Sequence, residues 1–392
     1  MTRAIVVGGG VAGPVTAMAL QRVGIEATVH EAHPAPEGDV GTWLGVQVNG
    51  LDALRAVGAE DAVRAAGFPT HTIEFRSGTG RVLGSSTTGD TEGRRDAGIS
   101  VKRSDLYRTL HAEALRRGVE IRYRSRLTGA EDTAAGVTAE FADGRTETAD
   151  LLVGADGVRS AVRPLVAPDA PPPRFVPVLV TAGYSSHVPA DAEVGRLTMV
   201  FGRRCFAGYL AAPDGGTWWF ANPPLTREPA DGEVAGTPDP RWRALLYDLL
   251  RGDRSPLVDL VEATPGPLRG WTTHDVPTVP RWSRGRTVLV GDAAHATSPA
   301  SGQGSSLAME DAVVLAACLR DLPLDDALRA FEERRRARAE RVVAQGFRRS
   351  SAKPPPAVGR AVRDAVLPLV LRRHDPAAWV RTHRVEPLVG TG

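Results

Sequence analysis

The chain has 392 residues, long enough for two core-forming units at about 100–200 residues each. Its 42% hydrophobic and 24% charged residues are those of an ordinary globular protein, and a formal net charge of +2 is too small for a nucleic-acid footprint. The two cysteines, Cys205 and Cys318, have neither metal-ligand spacing nor a disulfide framework, so no metal is expected and both read as buried small hydrophobes.

The opening apolar run Ala4–Val7 breaks at Gly8, too soon for a signal-peptide core. Nowhere do about 18 apolar residues run together, so no stable membrane insertion is expected and a cytoplasmic setting fits best. After Ala4–Val7, a strand, comes the turn Gly8-Gly9-Gly10-Val11-Ala12-Gly13. A helix over Pro14–Val23 follows, stopped by Gly24, and then a strand Ala27–His30 that delivers Glu31. This is a β-α-β unit with parallel strands. Leu51–Ala66 reads as one helix and Ser104–Arg117 as another, with Ser104 its N-cap. Glu120–Tyr123, Val137–Phe141 and Leu151–Val153 read as strands, with a turn at Asp143-Gly144.

The proline-rich stretch Pro168–Pro173 marks a crossing between domains. Beyond it, Phe175–Tyr184, Leu197–Phe201, Phe206–Ala211 and Thr217–Ala221 are rich in aromatic and β-branched residues, as in an antiparallel sheet. Residues 241–263 add helix, Thr287–Val290 is a buried strand, and Leu307–Arg320 and Asp325–Gly346 are helical. The run Arg334-Arg335-Arg336, balanced by Glu332, Glu333 and Glu340, reads as a solvated helix face.

Chemistry enters through three glycine motifs. Gly8, Gly10 and Gly13 match the dinucleotide fingerprint, in which backbone N–H groups and the positive end of a helix meet a pyrophosphate. Val11 and Ala12 share that turn, and Glu31, 18 residues after Gly13, is placed to accept hydrogen bonds from ribose hydroxyls. The second motif is Gly154-Ala155-Asp156-Gly157-Val158-Arg159 after the strand Leu151–Val153. The third is Gly291-Asp292-Ala293-Ala294-His295, continuing to Pro299-Ala300-Ser301-Gly302-Gln303-Gly304-Ser305. Both follow buried strands, and ligands of open α/β sheets lie beyond such strand ends. Asp292 suits a sugar-like hydroxyl. Gly302–Ser306, ahead of a helix expected near Leu307, suits negative charge on a reduced flavin ring.

Together these residues resemble the group A FAD-dependent monooxygenases, the para-hydroxybenzoate hydroxylase-like family. Length and organisation are most similar to its salicylate, urate and tetracycline hydroxylase branches. The resemblance covers residues 1–165 and 270–345. It implies an α/β fold: a Rossmann-like FAD-binding domain of the GR2 type, an inserted antiparallel-sheet substrate domain, and C-terminal helices. The expected division is 1–70, 98–172 and 270–345 for FAD, 71–97 and 173–269 for substrate, and 346–392 as the helical C-terminal segment. It also gives Arg103, in Val101-Lys102-Arg103-Ser104-Asp105-Leu106, the role of an FAD contact. Asp156-Gly157 would then serve both FAD and the nicotinamide, with Arg159 a phosphate contact. Two positions depart from the family: Ala32 stands where an arginine is common, and Val48-Asn49 where Pro-Asn is.

The resemblance implies a flavin C4a-hydroperoxide formed with NADPH or NADH and O2, and hydroxylation or epoxidation of an aromatic, heteroaromatic or unsaturated small molecule. The cofactor carries that chemistry. The protein must supply a dry chamber, with Tyr184, Phe201, Phe206, Trp218 and Phe220 as candidate walls and Pro299 with Gly302–Gly304 as the floor. Arg204 and Tyr209 are the candidate catalytic residues beside a substrate hydroxyl, with Tyr184 and His71 as further candidates. His295 is expected to be structural. An FAD-dependent reductase or oxidase that inserts no oxygen remains the alternative.

Overall fold

A computed structural model describes residues 2–34, 43–89, 97–133, 135–351, 355–373, 378–381 and 383–388. Positions 352–354, 374–377, 382 and 389–392 of the expected C-terminal segment lie outside these. A six-stranded sheet runs in the order Ser283–Arg284, Thr287–Leu289, Leu151–Gly154, Arg3–Val7, Glu26–His30, Glu120–Arg122. All pairs are parallel except the edge hairpin Ser283–Arg284 with Thr287–Leu289. A parallel sheet covered on both faces needs unbroken apolar strands. Ala4–Val7 and Leu151–Val153 supply them, and both are buried throughout. Helices Ala12–Arg22 and Gly304–Asp321 contribute Val15, Met18, Met309 and Val313 to this core. The three-stranded sheet Leu127–Thr133, Gly136–Phe141 and Thr146–Ala149 adds Val137, Ala139 and Phe141.

The expected helix Leu51–Ala66 is two helices, Val48–Ala56 and Glu60–Ala65, interrupted by Gly58 at φ +70°. Ser104 is not an N-cap. The helix begins one residue earlier, at Arg103, and no side chain caps it. Likewise 241–263 divides into Asp239–Leu250 and Leu257–Glu262.

The second large sheet has seven strands, not four: Gly270–Asp275, Arg174–Ser185, Thr217–Asn222, Phe206–Ala211, Arg196–Phe201, Thr72–Ser77, Val82–Thr87. It is mixed rather than wholly antiparallel. Arg196–Phe201 pairs in parallel with Thr72–Ser77, a strand that arrives from a much earlier part of the chain. Gly270–Asp275, expected to open the last FAD-binding stretch, is an edge strand of this sheet. Alternation along the strands sorts the side chains by face. Ile73, Tyr184, Leu197, Met199, Leu210, Trp218 and Phe220 share one face with Trp43 and Phe68. Val200, Ala207, Tyr209, Trp219 and Ala221 occupy the other, packed under the helices that carry Trp242, Leu246, Leu257 and Leu260.

A small sheet of Trp43–Val46, Gly98–Lys102 and Phe68–Thr70 lies at the junction of the two large ones. The C-terminal portion continues as Leu324–Ser351 and Ala357–Arg373. Among the described residues no helix is long and apolar enough to cross a membrane.

Trp219 is fully buried and its indole N–H donates to Thr264 Oγ1 at 2.7 Å. Trp219→Ala is expected to lower stability by about 3–5 kcal/mol in urea unfolding, through lost burial and a cavity.

Candidate functional site

The carboxyl ends of Arg3–Val7, Leu151–Gly154 and Thr287–Leu289 lie side by side, so the three glycine motifs meet at one edge of the parallel sheet. In the first turn, a Cβ at Gly13 would stand 1.9 Å from Gly8 O, a contact that only glycine permits. Gly10 differs: a Cβ there would meet no protein atom closer than Tyr107 Oη at 4.0 Å. The open space over Gly10 is where a ligand backbone can approach. Helix Ala12–Arg22 begins there with no side chain capping its first N–H groups, which leaves them for an anion. Glu31 closes the turn, accepting from Gly9 N–H at 2.6 Å and His33 N–H at 2.8 Å. From below, the buried His111 ring meets Gly9 O at 2.5 Å through Nε2 and Tyr123 Oη at 2.7 Å through Nδ1.

Asp292 and Arg103 are both exposed in the cleft ahead of these strand ends. The protein around Asp292 raises its carboxyl above the ordinary range, opposed by the charges of His295, Arg103 and Arg163. Exposure inside so much protein marks a residue lining a deep recess. Asp156 lies in the second turn. One carboxylate oxygen accepts from Ala161 N–H at 2.7 Å and Val162 N–H at 3.1 Å, and the other is enclosed without a partner. Its carboxylate therefore shapes the second turn. Arg159 is exposed. The residue that joins the second and third motifs is Arg163, donating to Ala293 O at 2.7 Å, Val158 O at 2.9 Å and Asp292 O at 3.2 Å.

The third motif ends in a short 3₁₀ turn, Pro299–Ser301, and a helix that starts at Gly304 rather than Leu307. Gly304 and Ser305 thus lie in its first turn, where no side chain caps the N–H groups. A Cβ on Gly304 would be 4.0 Å from Asp292 Oδ1, so this second helix start faces the same recess. The loop is anchored to the start of the helix Val48–Ala56: Ser306 Oγ accepts from Gln47 N–H at 3.1 Å, and Asn49 Nδ2 donates to Gln303 Oε1 at 2.9 Å.

Beneath the loop lies a buried ionic network. Asp311 accepts from Gly291 N–H at 2.8 Å, His295 Nε2 at 2.5 Å and Arg335 Nε at 2.7 Å. Glu310 accepts from Asn49 Nδ2 at 2.6 Å and bidentately from Arg338 at 2.7 and 2.9 Å, with Arg335 Nη1 at 2.6 Å. Arg335, read from sequence as part of a solvated face, is only 1% exposed, because that turn of the helix packs on Glu310 and Asp311. Its neighbour Arg336 does pair with Glu332 and Glu340, as charge balance suggested. His295 is buried and structural. Burial raises both carboxyls, but Arg335 with Arg338 for Glu310, and His295 with Arg335 for Asp311, outweighs it and lowers each to about 2.

The strand Trp43–Val46 joins this loop to the aromatic face of the seven-stranded sheet, with Ser305 Oγ donating to Gly45 O at 3.5 Å and Trp43 packed against Trp218. Trp218 is the hub, with ring centroids 5.0 Å from Phe68, 5.4 Å from Tyr184 and 6.0 Å from Trp43. Phe220, Phe206 and Phe201 continue the series at 5.7 and 5.3 Å. Tyr184, Phe201, Trp218 and Phe220 are thus brought together. Arg204 and Tyr209 are not. Arg204 is exposed beyond the strand end and pairs with Asp248 at 2.8 Å, on the helix behind the sheet. Tyr209 projects from the opposite face, 1% exposed, and burial pushes its hydroxyl pKa up. His71 is exposed beside Gly195.

The glycine-lined space, two uncapped helix starts, Glu31, Arg103 and Asp292 fit FAD: anionic in the middle and hydroxyl-rich at the ribose and ribityl chain. Comparison with known proteins agrees. The family model described as FAD binding domain matches residues 1–346. The chain is 32% identical over 352 residues to aurachin C monooxygenase/isomerase of Stigmatella aurantiaca, covering 88% of each. It is 32% identical over 396 residues to a 3-amino-4-hydroxybenzoate 2-monooxygenase of Streptomyces platensis, covering 98% of this chain and 97% of the relative. Among solved structures, Klebsiella pneumoniae HpxO complexed with FAD and uric acid superposes with a TM-score of 0.83 at 28% identity, covering 94% of this chain and 93% of that one.

Two outcomes are expected. Asp292→Ala should yield folded protein that loses its FAD on gel filtration, measured by the 450 nm band, whereas full retention would remove Asp292 from the site. Arg335→Met should lower stability by about 3–5 kcal/mol at neutral pH, by leaving buried carboxylates short of a partner. Because the folded pKa values of Glu310 and Asp311 are depressed, their stabilisation is present above the ordinary 3.8–4.5 and lost as pH falls towards about 2. The gap between wild type and variant in urea unfolding should therefore narrow across that acid range.

Proposed function

This chain belongs to the FAD-binding-domain family of flavoprotein monooxygenases. From that premise we propose that it takes electrons from NADPH or NADH and hydroxylates or epoxidises an aromatic, heteroaromatic or unsaturated small molecule with O2. One observation carries the reading: an aromatic face adjoins, through the strand Trp43–Val46, the strand ends that bear two uncapped helix starts, Arg103 and Asp292. Bound FAD supplies the redox chemistry, accepting electrons from the nicotinamide and activating oxygen.

The chain's own residues divide the remaining work. Gly10, Val11, Ala12 and Gly13 would offer N–H groups to the pyrophosphate, while Gly8 makes the tight turn with its own N–H donated to His30 O at 2.8 Å. Glu31 would accept from ribose, and Arg103 and Asp292 would meet the phosphate and ribityl portions. Gly302, Gln303, Gly304 and Ser305 carry a helix start whose free N–H groups would favour the negative charge a flavin gains on reduction. Pro299, exposed at the lip of the same turn, borders the substrate side. Trp218, Phe220, Tyr184 and Phe201 exclude water and stack on a planar substrate. Asp156 acts through the backbone it caps.

Sheet membership supports a division into an FAD-binding unit and a substrate-binding unit close to 1–70, 98–172 and 276–345 against 71–97 and 173–275, followed by the helical segment 346–392. The second unit takes in Gly270–Asp275 because that strand pairs with Arg174–Ser185. A reducing cytoplasm suits Cys205 and Cys318, both buried and free, the first with its thiol pushed up to about 12 by burial.

Turnover under ¹⁸O2 tests the reading: one labelled oxygen atom per product molecule is expected, and a product free of label would favour a reductase or oxidase. Trp218→Ala should keep its FAD but raise the peroxide released per NAD(P)H consumed several-fold, because the chamber then admits water. Unchanged coupling would take Trp218 out of the substrate wall.

A further inference from the structure

The aromatic face is not electrically neutral. Lys102, the last residue of the strand Gly98–Lys102, directs its ammonium onto this face, 5.1 Å from the ring centroid of Tyr184 and 5.8 Å from that of Trp218. It directly precedes Arg103, whose charge acts on Asp292 across the FAD recess. The ammonium thus stands at the seam between flavin site and substrate wall.

Its surroundings are unlike those of the other cations near the site. Arg335 and Arg338 are neutralised by Glu310 and Asp311, and Arg163 is saturated by backbone carbonyls. Among the described residues no carboxylate forms an ion pair with Lys102, and its ring contacts are its recorded polar interactions. Contact with aromatic rings compensates an ammonium only in part for water lost in a half-buried wall. A ligand entering the chamber displaces still more of that water, so the ligand that gains most carries its own negative charge. The same rings that hold Lys102 offer flat apolar surfaces to an aromatic ligand. Cation and stacking surface therefore select together.

We propose that Lys102 is the specificity-determining residue of the chamber. It recognises an anionic oxygen, carboxylate or phenolate, on a planar aromatic substrate stacked against Trp218 and Tyr184. This rests on the reading of that face as the substrate wall and names the class of molecule it takes. It replaces the role expected of Arg204, which lies behind the sheet.

The test uses the FAD-loaded wild type with K102M and K102R. Salicylate, 4-nitrophenolate above its pKa and the neutral salicylamide are titrated while flavin absorbance and tryptophan fluorescence are followed. The expected result is that wild type binds at least one anionic probe tenfold or more tighter than salicylamide. K102M loses about tenfold for that probe and nothing for salicylamide, and K102R restores most of the loss. Whether salicylate or 4-nitrophenolate suffers more tells carboxylate from phenolate. Equal affinity of wild type for charged and neutral probes overturns the proposal, as do failure to bind either anion, retained anion preference in K102M, and a parallel loss for all three ligands. The underlying monooxygenase reading fails differently, in wild-type protein that holds FAD yet incorporates no oxygen into any substrate.

Discussion

The loop that carries Asp292 and Gly304 depends on two adjacent carboxylates buried beneath it, Glu310 and Asp311. Asp311 fixes the Gly291 turn and His295, while Glu310 holds Asn49, which in turn holds Gln303. One helix thereby braces both ends of the loop that carries Asp292 and Gly304. Two negative charges side by side in a dry interior are tolerable only because Arg335 and Arg338 reach in from the next helix. The arginines thus make possible a rigid arrangement of backbone N–H groups in the recess. Arg163 acts in the same manner between the second and third turns, with carbonyls as partners.

The parallel half of the molecule was readable because its signals are local. An apolar strand, a glycine turn and a helix stop occupy consecutive residues, and the strands Ala4–Val7, Ala27–His30 and Leu151–Val153 appear within a residue or two of where pattern put them. Glycines at fixed offsets likewise reveal a phosphate cradle without tertiary information. The polar groups behind the cradle carry no such mark. His111 sits in a stripe with Leu106, Leu110 and Ala114 that reads as ordinary core, and Arg335 sits in a triplet that reads as surface. Only the fold tells which of three consecutive arginines points inward.

In the mixed sheet, strand identity was visible and facing was harder to read. Trp218 and Trp219 are neighbours in sequence, yet one joins the aromatic face and the other anchors the helices behind the sheet. Tyr209 falls on the hidden side by the same alternation, and the aromatic candidates Tyr184, Phe201, Trp218 and Phe220 on the open side. The strands Thr72–Ser77 and Val82–Thr87 escaped notice because their side chains are largely polar and only partly buried. Lys102 escaped for another reason: what sets it apart is that no carboxylate among the described residues pairs with it, which no motif records.

The parallel pairing of Thr72–Ser77 with Arg196–Phe201 has an evolutionary corollary. A sheet assembled from an early excursion and a later, longer one cannot be lifted out by a single pair of genetic breakpoints. New chemistry in such a lineage should spread by point replacement along the open face, leaving the scaffold's connectivity untouched, rather than by swapping whole modules.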